Sequence, residues 1–207
     1  MKALENQFIS SLLEDVGEAF SHIEWLHHPS TVSHEQAVAK YMYSFAKSLN
    51  ISEEKAKALS FTSKFHDIGK VKIAPSILNK AGPLDSLQRK KIEKHSIIGY
   101  KILNIINHPV MQLAATLALY HHENFDGSGY PEALKGNKVP FECRVCSICN
   151  VYDVLRRERS YKERFSHQDA VDLMISKAGM ANKFDPELLR EFEKNNRLFE
   201  QISLEVT

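Results

Sequence analysis

The recurrence of apolar residues at helical spacing constrains this chain most. Leu4, Phe8, Leu12, Val16, Phe20 and Ile23 fall every three or four residues between Lys2 and Trp25, the pattern of a helix with one buried face. His27-His28-Pro29 ends that run. Ser33 and Gln36 form a capping-box pattern, opening a helix with Val38, Tyr41, Met42, Phe45 and Leu49 on its apolar face. Asn50 closes it, and Ser52 starts another that runs into His66. Val71 to Leu84 is irregular, punctuated by Pro75, Gly82 and Pro83. Asp85 and Gln88 cap a long helix with Ile92, Ile98, Ile102 and Ile106 on one face, and Pro109 begins another through Tyr120. A loop rich in Gly and Pro spans Asn124 to Pro140, a length that inside a compact domain is usually functional. Three more helices follow, over Phe141 to Leu155, from Ser166 to Lys177, and from Asp185-Pro186 to Leu204. Strand signals are nearly absent, so the expected fold class is all-α.

Composition narrows the function classes. The 27 basic and 26 acidic residues nearly cancel, so no global field argues for nucleic acid or a membrane surface. No segment approaches ~18 apolar residues in a row, which argues against a membrane-spanning helix. Met1 to Glu14 carries Glu5 and Glu14 and lacks the layout of a signal peptide, so the expected location is cytoplasmic. No linker splits the 207 residues, and a single domain is expected. Cys143, Cys146 and Cys149 follow a C-x-x-C-x-x-C spacing that suggests a cluster. A fourth thiolate is missing, however, and Val145, Ile148 and Val151 mark the interior of an apolar helix. The cysteines read as small core residues.

His66-Asp67-Ile68-Gly69-Lys70 carries the chemistry. Imidazole and carboxylate together suit divalent first-row metals, and Lys70 places a positive charge beside them. Alone, such a pair is weak evidence. His34 points inward from the first turn of its helix, and His95 shares the apolar face of its own, with Gly99 one turn on. His121 and His122 close a third helix. Neighbours on a helix point ~100° apart, so both reach one centre only if the helix ends there. Burying so many imidazoles without shared purpose is costly, and a metal centre offsets that cost. His22, His27, His28, His108 and His167 lack this context and read as surface or turn residues.

These motifs, in this order, carry a resemblance: His34 with Val38-Ala39, His66-Asp67-Ile68-Gly69-Lys70, His95-Ser96-x-x-Gly99, and His121-His122-Glu123-x-x-Asp126-Gly127-x-Gly129-Tyr130-Pro131. Together with Arg159-x-Tyr161-Lys162 and Phe184-Asp185-Pro186 they resemble the HD-GYP family, over about residues 8 to 195. That family is a branch of the HD phosphohydrolases whose bacterial members open cyclic di-GMP (c-di-GMP) with two or three metal ions, commonly iron or manganese.

The resemblance implies a helical HD-type bundle over 1–207 with a long signature loop and an N-terminal helix over residues 1–32 packed on or preceding the core. It implies that Asp67 bridges two ions, that His34 and His66 hold the first, and that His95, His121 and His122 hold the second. Lys70 would meet a substrate phosphate. Gly129, Tyr130 and Pro131 would shape the pocket and offer a surface to signalling partners, while Arg159 and Lys162 would lie near the second phosphate.

Two positions depart from the family pattern. Asn150 stands where the family has the Asp that completes the first metal site; its carbonyl can ligate, but it brings no charge. Asp153, nearly one turn on, would reach the centre only with a helix shift. Ser30 stands where three-metal members tend to have Glu, which favours two ions. The expected activity is therefore phosphodiester hydrolysis through a bridging hydroxide at a two-metal centre. The alternatives are a catalytically impaired relative that binds metal or nucleotide and signals through partners, and a metal phosphohydrolase with another nucleotide substrate.

Overall fold

In the computed structural model the described residues are 11, 15–23, 26, 29–157 and 164–206, with the backbone alone described over 29–32. They contain helices and turns and no strand, as the apolar spacing predicts. Residues 15–23 are helical; the rest of the run expected over Lys2 to Trp25 lies largely outside the described residues. The helices that follow are α1 (Pro29–Ser48), α2 (Glu53–Ser63), the single turn α3 (Pro75–Leu78), α4 (Ser86–Leu103), α5 (Pro109–Tyr120), α6 (Phe141–Arg156), α7 (His167–Ile175), α8 (Pro186–Lys194) and α9 (Asn196–Val206). None of the described helices is long and apolar enough to cross a membrane.

The termini follow local chemistry. Asp85 and Gln88 make a reciprocal capping box at the start of α4, and the Asp185 carboxylate accepts from Glu187 N and Leu188 N at the start of α8. Asn50 adopts φ 58° after α1, and Ile51 N donates to Ala46 O across it, the left-handed cap that asparagine tolerates. Three expected boundaries move. α1 opens at Pro29 rather than Ser33, because proline's missing N–H costs nothing at the first helical position; Ser33 then lies in the second turn and its Oγ accepts from Arg157 Nη1. α2 stops at Ser63, and tighter bonds such as His66 N to Ser63 O and Ile68 N to Phe65 O lead into a 3₁₀ turn over Ile68–Lys72. The last helix breaks at Asn195, whose N donates to Glu191 O and Phe192 O. The break lets Phe192 and Phe199 meet edge to face with centroids 4.8 Å apart.

Two buried clusters flank the site. The larger joins α1, α6, α7, α8 and α9 through Tyr41, Phe45, Tyr152, Met174, Phe192 and Phe199; Tyr41 stacks on Phe199 at 5.2 Å. Cys143, Cys146 and Cys149 are fully buried in it and unpaired, as core residues should be. The smaller gathers Phe65, Ile68, Leu103, Met111 and the alanines Ala114, Ala115 and Ala118. The small side chains on α5 let the turn after α2 and the helix α4 approach closely.

Candidate metal centre

Five segments converge between the two clusters. α1 presents His34, the turn after α2 presents His66, Asp67 and Lys70, α4 presents His95, the end of α5 presents His121 and His122, and α6 runs alongside with Asn150 and Asp153. Among the described residues two sets of ligand atoms form, each set lying within 4.8 Å: His34, His66 and Asp67, and Asp67, His95, His121 and His122. Asp67 belongs to both. His121 and His122 join the same set because α5 ends at Tyr120 and both lie in the turn that follows.

The backbone makes the close approach possible at Gly69. A Cβ there would lie 1.9 Å from His95 O and 2.6 Å from Gly99 N, so only glycine lets the turn carrying Asp67 touch the turn of α4 that carries His95.

Hydrogen bonds decide which nitrogen each imidazole offers. Nδ1 of His66 donates to Ser63 O at 2.7 Å, and Nδ1 of His95 donates to Ile92 O at 2.7 Å. Nδ1 of His121 donates to Leu117 O and Ala118 O at 3.0 and 3.1 Å. A carbonyl can only accept, so Nδ1 carries a proton in all three rings, and in the neutral ring Nε2 is the atom left with a lone pair. Those Nε2 atoms face Asp67: His66 at 3.5 Å from Oδ2, and His95 and His121 at 3.3 and 3.6 Å from Oδ1.

Electrostatics match a cation. Burial pushes the His66, His121 and His122 imidazoles to lower pKa, most strongly for His66 and His122, so they stay neutral and able to ligate. Burial pushes the Asp67 carboxyl up, but the Lys70 charge beside it outweighs burial and holds the carboxyl well below the usual carboxylate range. Lys70 Nζ donates to Asp67 Oδ2. Among the described residues, His66 Nε2 and Asp67 Oδ1 are buried with no hydrogen-bond partner. An unpartnered lone pair and an unpartnered carboxylate oxygen in the same pocket are costly, and a divalent ion satisfies both. The donor set therefore fits a metal centre.

The loop of residues 121–140 closes over this centre through contacts that helical periodicity does not show. The Glu123 carboxylate is buried and accepts from Glu132 N at 2.7 Å and Leu134 N at 2.9 Å. Tyr130 N donates to His122 O at 3.2 Å. Asp126 Oδ1 accepts from Ser128 N, and Gly127 takes φ +85°. Gly129 has no room for a Cβ, which would lie 2.4 Å from His122 O. Tyr130, joined to Pro131 by a cis peptide, thereby lays its ring on His122 at a 4.7 Å centroid distance.

Some expected positions fall elsewhere. Arg159 and Lys162 lie outside the described residues. Asn150 is buried on α6, and its amide makes no hydrogen bond among the described residues. With no helix shift, Asp153 stops at His34, accepting from Nδ1 at 2.6 Å. His167 is no surface residue: it is buried between Tyr152 OH at 2.8 Å and Asn196 Oδ1 at 3.0 Å, because α7 packs on α6 and the α8–α9 junction. His108 caps α5 and His22 is exposed, as expected, while His27 and His28 lie outside the described residues.

Comparison with known proteins agrees with this geometry. The family model described as the HD domain matches residues 18–188. The chain belongs to the HD domain family. Within it, the signature loop and the relatives place this HD domain in the HD-GYP branch. It is 36% identical over 159 residues, 77% of this chain and 30% of the relative, to 3'3'-cGAMP-specific phosphodiesterase 2 of Vibrio cholerae. It is 34% identical over 76% of this chain and 41% of the relative to the Cyclic di-GMP phosphodiesterase response regulator RpfG of Xanthomonas campestris. The Cyclic di-GMP phosphodiesterase of Thermotoga maritima is 32% identical over 79% of this chain and 44% of its own length. The chain thus spans less than half the length of these relatives. The crystal structure of the HD domain of the L. monocytogenes phosphodiesterase PgpH superposes with a TM-score of 0.60 at 18% identity, covering 89% of this chain and 94% of that one, which shows the shared fold.

Proposed function

We propose that this HD domain is a metal-dependent phosphodiesterase that hydrolyses c-di-GMP at a two-metal centre, with iron or manganese as the ions. The observation that carries the reading is the convergence of neutral Nε2 lone pairs on both oxygens of Asp67, with the opposite nitrogens already tied to carbonyls. The names of the relatives supply the substrate class, a cyclic dinucleotide. The unpaired cysteines fit a reducing cytoplasm.

When bound, two divalent ions supply charge neutralisation at the phosphoryl oxygens and lower the pKa of a water at neutral pH. The chain's own residues do the rest. Asp67 faces both sets of imidazoles and would help to hold both ions, with His34 and His66 on one side and His95, His121 and His122 on the other. Burial keeps the His66, His121 and His122 imidazoles neutral. Lys70, half-buried beside Asp67, brings a fixed positive charge to the place where a phosphate would sit. Tyr130 stacks on His122 beside the centre, and Gly129 and Pro131 would shape the pocket around it. Arg159 and Lys162 would neutralise the second phosphate.

The test is turnover of c-di-GMP, with 3'3'-cGAMP alongside, by protein loaded with Mn(II) or Fe(II). Cleavage of c-di-GMP that is lost in His121→Ala supports the reading. Protein that holds two ions and cleaves neither dinucleotide contradicts it. Asn150 favours a second reading, since a neutral amide replaces a carboxylate at the first site: an impaired enzyme that binds metal or nucleotide and signals through the Gly129-Tyr130-Pro131 loop. Tight c-di-GMP binding without turnover by the two-ion protein would select that second reading.

A further inference from the structure

Asp153 is 2% exposed, and its Oδ2 accepts both from His34 Nδ1, at 2.6 Å, and from Arg157 Nε. Arg157 reaches on to the N-terminal part of α1, donating from Nη1 to Ser33 Oγ at 2.9 Å and from Nη2 to Ser33 O at 2.7 Å. The other three imidazoles of the centre whose Nδ1 is bonded donate it to neutral carbonyls of their own helix or turn. His34 alone donates to a carboxylate, and that carboxylate comes from α6, the helix carrying Asn150. Resting on the metal-centre reading, we infer that Asp153 is a positioning residue for the first site, supplying through His34 the orientation and negative charge that Asn150 does not.

The argument is one of charge and tautomer. His34, His66 and Asp67 share a single carboxylate with the second set, so the first site is short of negative charge. A carboxylate on Nδ1 fixes the proton and the ring orientation there and leaves Nε2 as the ligating atom. Arg157 donates to Asp153 and ties it to Ser33, one residue before His34. The carboxylate thus reaches the first ion through the imidazole, with no direct contact required.

The test is calorimetric titration of chelator-treated protein with Mn(II), which reads affinity without substrate. Wild-type protein should show two events per chain. Asp153→Asn should weaken one of them by roughly 10–100-fold and leave the other within about twofold. In a His34→Ala background the same change should have no further effect, since its action passes through that ring. If Asp153→Asn does not fold, ¹⁵N-detected NMR of metal-free wild-type protein at pH 8 still decides: His34 protonated on Nδ1 is expected, and a proton on Nε2 overturns the inference. Two events that Asp153→Asn leaves unchanged, an equal loss at both sites, or a single event that His34→Ala does not touch would also overturn it. Wild-type protein that takes up no Mn(II) instead removes the metal-centre reading itself.

Discussion

His95 and His121 aim their Nε2 atoms at each other across 3.3 Å. Both rings spend Nδ1 on backbone carbonyls, and Asp67 Oδ1 lies 3.3 and 3.6 Å from the two nitrogens. Two lone pairs and a carboxylate oxygen so close repel one another unless a cation lies among them. Metal should therefore stabilise the fold. At ~100 times its dissociation constant a bound ion adds about 2.7 kcal/mol, which for a chain of this size is roughly 5–10 °C in Tm. Thermal scans with chelator and then with Mn(II) check this; an unchanged Tm counts against it.

Restoring charge at position 150 should act on the first ion. Asn150→Asp is expected to tighten that ion by about tenfold or more, since an anionic ligand in a partly desolvated site interacts strongly with a divalent ion. Turnover of c-di-GMP should rise where occupancy is limiting. Occupancy and rate are measured side by side, because the added anion also makes a metal-activated water less acidic. Wild-type protein that already holds two ions tightly and turns over briskly contradicts this expectation.

Gly69→Ala should damage the centre with no ligand removed. The new Cβ meets His95 O and Gly99 N, both backbone atoms that cannot swing aside. Overpacking of this kind costs about 1–3 kcal/mol, and the shift falls on Asp67 and His95 together. Lower stability with reduced metal content is expected; a variant with wild-type Tm and metal content would show that the turn can move freely.

The three thiols should be inert in the folded protein. Burial pushes Cys146 up to about 12, with the Asp67 charge adding to it, and raises Cys143 and Cys149 strongly. A disulfide-exchange reagent at pH 8 should label none in native protein and three after unfolding, because only thiolates react. Cys146→Ala should keep its metal. Loss of iron from that variant would reinstate the cluster reading of the C-x-x-C-x-x-C spacing.

The helices were legible because their signals are local. Asp85 with Gln88, Pro109 at a first turn and Asp185-Pro186 each act within four residues. The inward histidines were legible from the same periodicity, and the end of α5 allows His121 and His122 to converge. What stayed hidden depends on distant contacts. Asp153 and Asn150 are three residues apart on α6, and which group Asp153 meets is set by how α1 and Arg157 pack against it. Glu123 works on the backbone of residues nine and eleven positions on, a loop closure without a period. His167 looked peripheral because Tyr152 and Asn196, which bury it, come from other elements. The break at Asn195 was missed because α8 and α9 keep one helical rhythm through it.

The central claim is that Asp67 serves two ions at once. Its most direct test is elemental analysis of protein made in metal-replete medium, beside Asp67→Ala prepared identically. About two transition-metal ions per chain in the wild type, iron or manganese, and close to none in a folded Asp67→Ala variant, is the predicted result. A wild-type protein that is well folded and metal-free, or an Asp67→Ala variant that keeps both ions, would contradict it.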